Sequence, residues 1–266
     1  MELNMKKAAI EMHGYCFRVG RQDILKDISF TVHQGEYISV VGPNGAGKTT
    51  LLKCLNRIYT GGSGEVKVNG LPLGSYSQRE LARVISYVPQ ANGGPLPFTV
   101  HEFVMMGRYP YLNPFSTVSV EDEEAVRNAL ELTGLAAYAE RALNSLSGGE
   151  RQKVFIAAAL AQGAGILLLD EPVTFLDPRH QVEVHQILSR VNQESGVTIM
   201  AVTHDINNAF YWGERVLVLK EGQIAFNGPA EEIIERNLLK DIYGISFQLL
   251  KNPDSDKPLV IPEVPR

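Results

Sequence analysis

The chain has 266 residues, 44% of them hydrophobic, with a formal net charge of −5 and two cysteines. That length and apolar content can bury one large core or two small ones, and the acidic balance argues against a nucleic-acid groove, which needs a basic face. Cys16 and Cys54 stand far apart; they imply neither a disulfide framework nor a thiolate metal site and fit a reducing cytosol.

The opening residues, Met-Glu-Leu-Asn-Met-Lys-Lys, lack the apolar core of a secretory signal. Ile24 to Val32 alternates like a strand, His33 to Glu36 turns, and Tyr37 to Val41 is a β-branched run ending at a glycine. Gly42, Pro43, Asn44, Gly45, Ala46, Gly47, Lys48 and Thr49 follow, and from Lys48 through Thr50 to Leu55 the pattern is helical. Strand, glycine loop and helix in that order make a phosphate cradle: the glycines let successive N–H groups point inward, and the helix adds its positive end at the same place. Lys48 supplies a point charge for β- and γ-phosphates, and the Thr49 hydroxyl is a hard oxygen ligand suited to Mg²⁺.

Residues 91–97 and 109–119 are rich in Gly, Pro, Asn and Ser and read as loops. Glu121 to Thr133 predicts a helix with an acidic first turn, stopped by Gly134. Ser147 has the residue type of a helix cap, for a helix from Glu150 to Gln162. The uncharged run Val154 to Leu169 is too short for a membrane span and carries Gln162, Gly163 and Gly165, so it reads as helix, glycine break and buried strand. That strand, from Ile166, delivers Asp170 and Glu171 to its carboxyl end, where an open α/β sheet presents ligands. Asp170 can hold Mg²⁺, and Glu171 is the candidate general base for an attacking water. Val197 to Val202 and Arg215 to Leu219 are further strands, and Glu221-Gly222 turns the second of them into a hairpin with Gln223 to Phe226. Lys251 to Arg266 carries four prolines and is expected to be an extended tail.

Leu146-Ser147-Gly148-Gly149-Glu150-Arg151-Gln152 resembles the signature motif of ATP-binding-cassette (ABC) ATPases, and the likeness runs through almost the whole chain. Gln90 matches that family's Q-loop glutamine, Asp170-Glu171-Pro172 its Walker B end, Leu176-Asp177 its D-loop and His204 its switch histidine. The resemblance implies an α/β fold of the P-loop NTPase (RecA-like) kind, a mostly parallel sheet core with an antiparallel β subdomain and a helical insertion subdomain. It also implies a single ATPase domain over 1–250, with the insertion at roughly 91–160 and the tail at 251–266. The reaction implied is ATP hydrolysis with Mg²⁺, in which Thr49, Gln90 and Asp170 face the metal and Lys48, Gln90, Glu171 and His204 serve the chemistry. Residues Gly42 to Thr50 hold the nucleotide. Ser147, Gly148 and Gly149 would reach the γ-phosphate on the cradle of a second copy in a head-to-tail dimer, with Asp177 crossing the interface.

The family position that stacks adenine on an aromatic ring is Val19 here; Phe17, on the same strand face, is either its substitute or ordinary core. A single cassette without a span must find integral-membrane permease subunits, and indirectly a substrate-binding protein, at the cytoplasmic face of the membrane. Val100, Glu102, Val104, Gly107-Arg108-Tyr109-Pro110 and Thr174-Phe175-Leu176-Asp177 resemble the ATPases of iron-siderophore, haem and cobalamin importers. Arg108, Tyr109 and Tyr111 are then expected to be exposed and to meet the permease. A zinc or manganese importer ATPase is the closest rival. A small GTPase would need an Asn/Thr-Lys-x-Asp guanine reader, which is missing; cassettes acting on DNA or ribosomes would carry heptads or a basic linker.

Overall fold

The computed structural model describes residues 7–90, 94, 96–112, 117–235, 237–251 and 257–263. In chain order its elements are β1 (Ala8–Val19), β2 (Gln22–His33), β3 (Tyr37–Val41), α1 (Lys48–Leu55), β4 (Ser63–Val68), β5 (Leu71–Pro72), α2 (Gln78–Ala82), β6 (Ile85–Val88), α3 (Val100–Met105), α4 (Val120–Leu132) and α5 (Gly148–Ala161). There follow β7 (Ile166–Asp170), α6 (Pro178–Ser195), β8 (Thr198–Val202), α7 (Ile206–Trp212), β9 (Arg215–Lys220), β10 (Gln223–Gly228), α8 (Ala230–Glu235), α9 (Leu238–Tyr243), β11 (Phe247–Leu250) and β12 (Leu259–Pro262). The chain divides into two compact units, Met1–Leu73 with Met200–Arg266, and Gly74–Ile199, the boundary falling inside β8.

In the first unit, β2, β1, β4 and β5 form an antiparallel sheet in that order, the β subdomain expected from sequence. Beside it runs β10-β9-β3, in which β9 is antiparallel to β10 and parallel to β3. All five residues of β3 are buried, as a strand covered on both faces requires. The β9–β10 turn at Glu221 and Gly222 has both residues at positive φ, 51° and 80°, the two-residue hairpin geometry whose twist suits the flanking strands. Val41, Phe210, Val216, Val218, Ile233 and Val260 pack into one core.

Part of the stretch expected as a tail, 259–262, is β12, antiparallel to β11. It is tied to α7: the Asn207 carboxamide donates to the Val260 carbonyl (3.1 Å) and accepts from its N–H (2.8 Å). Lys257 donates to the Phe210 carbonyl at the end of α7 (2.7 Å).

In the second unit, β6 and β7 are parallel, Val88 opposite Leu169. The helices start on side-chain caps. Ser119 and Asp122 close a reciprocal capping box on α4, Ser147 and Glu150 on α5, and Asp177 caps α6 ahead of Pro178 at its first position. The helix read from Glu121 thus begins one residue earlier, and Gly134 at φ 68° ends it as expected. Val100, Val104, Val126, Leu130, Leu143 and Val154 form this unit's core of α3, α4 and α5. Among the described residues no helix is long and apolar enough to cross a membrane.

Candidate functional site

The cradle grows out of β3. Gly42 adopts φ 142°, and a Cβ there would lie 2.0 Å from the Leu219 carbonyl oxygen of β9, so only glycine lets the chain leave the sheet at this point. The loop ends at Gly47, φ 100°, which is the N-cap of α1 and brings no side-chain cap. No capping side chain stands between the positive end of α1 and an anion in the loop. Lys48 is 7% exposed, and its Nζ donates to the Gly42 (2.8 Å) and Pro43 (3.0 Å) carbonyls, spanning the loop. Thr49 and Thr50 are half-buried on the first turn, while Asn44 and Gly45 are exposed.

His204 sits at the carboxyl end of β8 in the same unit and is exposed. Its neighbours fix it. The Thr203 N–H donates to the Val40 carbonyl of β3 (3.0 Å), the Asp205 N–H donates to Thr203 Oγ1 (3.1 Å), and Asp205 caps α7 by accepting from the Asn208 N–H (3.1 Å). Hence His204 follows directly on a residue bonded to the strand that feeds the cradle.

The acidic pair is built in the second unit. Asp170 closes the fully buried β7 and is 3% exposed; Tyr87 of β6 donates its hydroxyl to Asp170 Oδ2 (3.2 Å). Glu171 takes a left-handed backbone at φ 52°, which costs a non-glycine residue about 1–3 kcal/mol and is a feature that clusters at functional sites. Its Oε2 accepts from Gln90 Nε2 (3.1 Å) and from Thr174 Oγ1 (2.9 Å). Gln90, two residues beyond β6, thus meets Glu171 at the shared carboxyl end of two parallel strands, which is why two residues 81 apart in sequence come together. Sequence reasoning missed Tyr87 and Thr174 as partners of the acids. The signal for Thr174 was its spacing of three after Glu171; for Tyr87 it was its place one residue before the end of β6.

The signature segment is the N-terminus of α5. Ser147 Oγ accepts from the Glu150 N–H (3.2 Å) and Glu150 Oε2 accepts from the Ser147 N–H (2.8 Å). These bonds from Ser147 hold the Glu150 carboxyl below its ordinary range. Ser147 and Gly148 are exposed and Gly149 is buried. Asp177 is exposed and its pKa is lowered by the His180 backbone and side-chain bonds.

One expectation is corrected, and one open alternative takes a side. Arg108 is 9% exposed rather than presented to solvent. Its Nε donates to Asp122 Oδ1 (2.9 Å), its Nη1 to the Ala161 carbonyl (2.8 Å), and its guanidinium lies 3.9 Å from the Tyr111 ring centre. A Cβ at Gly107 would sit 2.1 Å from the Ala158 carbonyl oxygen. The Gly-Arg-Tyr-Pro segment is therefore pressed onto α5 and clips α4 to it; of its residues Tyr109, 77% exposed, is the one open to a partner. Phe17 is also core: it is 7% exposed and stacks parallel on Tyr59 at 5.6 Å, whereas Val19 is 57% exposed.

Residues 25–174 match the family model described as ABC transporter. The iron(3+)-hydroxamate import ATP-binding protein FhuC of Bacillus subtilis is 40% identical over 91% of this chain and 90% of its own length. The ferric enterobactin transport ATP-binding protein FepC of Escherichia coli is 38% identical over 91% and 90%. Among solved structures, a chain of an inward-facing ABC transporter superposes with a TM-score of 0.84 at 27% identity, covering 97% of this chain and 98% of its own. The ATP-binding cassette MJ0796, a dimer in a post-hydrolysis state bound to ADP and Pi, gives 0.71 at 29% identity over 83% and 98%. This chain belongs to the ABC transporter family, as one of its ATP-hydrolysing cassettes on a P-loop α/β fold.

Proposed function

We propose that this protein is the ATPase subunit of an importer, hydrolysing ATP to power uptake of an iron-siderophore, haem or cobalamin-type substrate through separate integral-membrane permease subunits, themselves supplied by a substrate-binding protein. Support for that cargo class comes from the names of the relatives at 40% and 38% identity, which give iron(3+)-hydroxamate import and ferric enterobactin transport. The protein works as a head-to-tail dimer of two copies, peripheral to the cytoplasmic face of the membrane, and contacts no nucleic acid.

The observation that carries the chemistry is the Gln90–Glu171 bond of 3.1 Å at the end of a buried strand. It aims the Glu171 carboxylate and leaves it able to take a proton from water. Gly42, Pro43, Asn44, Gly45, Ala46 and Gly47 wrap the phosphates with backbone N–H groups, Lys48 swings its ammonium from the loop carbonyls to the β- and γ-oxygens, and Thr49 and Thr50 add the first helical turn. Thr49 hydroxyl, Asp170 carboxylate and the Gln90 amide oxygen are all hard oxygen donors, the set that fits Mg²⁺. When bound, Mg²⁺ neutralises phosphate charge. His204 orients the γ-phosphate and the attacking water. Ser147, Gly148 and Gly149 of the second copy supply donors to the same γ-phosphate. Glu171→Gln keeps the acceptor for Gln90 and removes the base, so turnover should fall roughly 10²–10⁴-fold with ATP affinity unchanged. Near-parental hydrolysis by that variant would place the base elsewhere.

A further inference from the structure

The second glycine of the signature segment is not open space. A Cβ on Gly149 would lie 2.3 Å from His180 Cγ and 2.4 Å from its Cδ2, so the imidazole of α6 lies directly on the Gly149 backbone, an approach that any larger residue would block. The ring is held from its other side. Asp177 Oδ2 meets His180 Nδ1 at 2.7 Å, and Asp177 Oδ1 accepts the His180 N–H at 3.0 Å. One carboxylate thus caps α6 and fixes the ring of the residue three positions on. The seam continues one turn further along both helices, where Lys153 of α5 donates to Glu183 of α6 at 2.9 Å. Along this seam His180 keeps 23% of its side chain exposed, Lys153 14% and Glu183 29%.

We propose that His180 is a positioning residue that ties the Asp177 turn to the signature helix, so that the N–H groups at Gly148 and Gly149 move with that turn. This rests on the reading of the signature as a γ-phosphate contact. The physical reason is a chain of three stiff links: a charged hydrogen bond sets the ring, the flat ring bears on a backbone that has no side chain to yield, and that backbone is the start of α5. A displacement of the Asp177 turn therefore reaches the signature amides instead of being absorbed by a flexible side chain. Nothing in the reaction passes through His180 itself.

The test is a double-mutant cycle on the full-length protein, reading kcat, KM for ATP and melting temperature for His180→Ala, Gly149→Ala and the pair. His180→Ala should lower kcat about tenfold, because loss of orientation rather than of binding is the expected defect, with KM for ATP within twofold and the melting temperature little changed. Gly149→Ala should be worse than His180→Ala, since its methyl meets the ring, and adding His180→Ala should regain about tenfold of kcat by making room. If Gly149→Ala fails to fold, the double variant should fold. His180→Phe, which keeps the ring and loses the bond to Asp177, should fall between parent and His180→Ala. The proposal is overturned if His180→Ala keeps kcat within twofold of the parent, or if the double variant is no better than Gly149→Ala. Ser147→Arg is run alongside: turnover retained in Ser147→Arg defeats the signature reading, whereas turnover lost there but intact in His180→Ala defeats the positioning role alone.

Discussion

Two glycine-rich helix starts in this molecule look alike on paper and differ in one physical respect. The helix after the cradle begins on Gly47 with no side-chain cap; the signature helix begins on Ser147 with a complete capping box. At α1 no side chain caps the first turn, and a buried lysine stands across the loop. At α5 the capping box engages the Ser147 and Glu150 N–H groups, and the Glu150 carboxylate offsets the positive end of the helix dipole. The first is the stronger anion site of the two. The second is a weak anion site by itself, suited to closing on a phosphate that something else already holds. The comparison teaches that sharing of the nucleotide between two copies can follow from capping chemistry, not only from where the motifs lie.

The largest effect should come from the strong side. Lys48→Ala removes the ammonium proposed to serve the β- and γ-phosphates, so nucleotide affinity or turnover should collapse with the melting temperature preserved. ATP binding and ATPase both at the parental level would break the comparison at once.

Arg108→Ala asks whether the unit that carries the signature depends on its buried clip. Arg108 and Asp122 keep 10% and 7% of their side chains exposed, and breaking a buried pair costs about 3–5 kcal/mol because one charge stays behind. That loss should appear in denaturant unfolding. The pH dependence has a definite sign. Burial pushes the Asp122 carboxyl up, but bonds from Arg108 and Ser119 bring its folded-state pKa below the ordinary value. The pair's contribution is therefore full above the ordinary carboxylate range and is lost as pH falls through the lowered pKa. In Arg108→Ala the acid-side slope of stability should flatten; an unchanged slope would assign the pH dependence to another group.

Glu150→Gln sharpens the comparison with the smallest effect. Glutamine can still accept from the Ser147 N–H, so the change removes mainly a favourable charge at the start of α5, worth about 0.3–1 kcal/mol of stability. Turnover should hold or rise, since phosphate approach is no longer opposed. A loss of turnover beyond tenfold would show that the Glu150 charge itself is needed at the site.

What the sequence made legible follows the same division. The cradle was readable because its causes are local: a β-branched strand, three glycines and a lysine act within twelve residues. The α4 stop at Gly134, the β9–β10 hairpin and the break at Gly163 were readable for that reason too. Arg108 was misread because its exposure is set by Asp122, 14 residues on, and by the Ala161 carbonyl, 53 residues on; no local pattern reports either. Phe17 is core through Tyr59, and β12 is held by Asn207 across 53 residues. The α6 start was overlooked although Asp177-Pro178 is a local signal for it, an N-cap acid followed by proline at the first helical position.

The central claim, that the signature of one copy closes on the cradle of another, is met most directly by cross-linking. Two single-cysteine chains, Asn44→Cys and Ser147→Cys, each with Cys16→Ser, Cys54→Ala and Glu171→Gln, are mixed with a short bifunctional thiol reagent. Both target positions are exposed, and the product that counts is the one that joins unlike chains; each chain treated alone gives the background of like-chain products. The account predicts a cross-linked heterodimer that requires ATP and Mg²⁺ and disappears when Lys48→Ala is added to the Asn44→Cys chain. Equal yield with and without ATP, or no heterodimer at tens of micromolar protein, roughly the range of weak association, would contradict it.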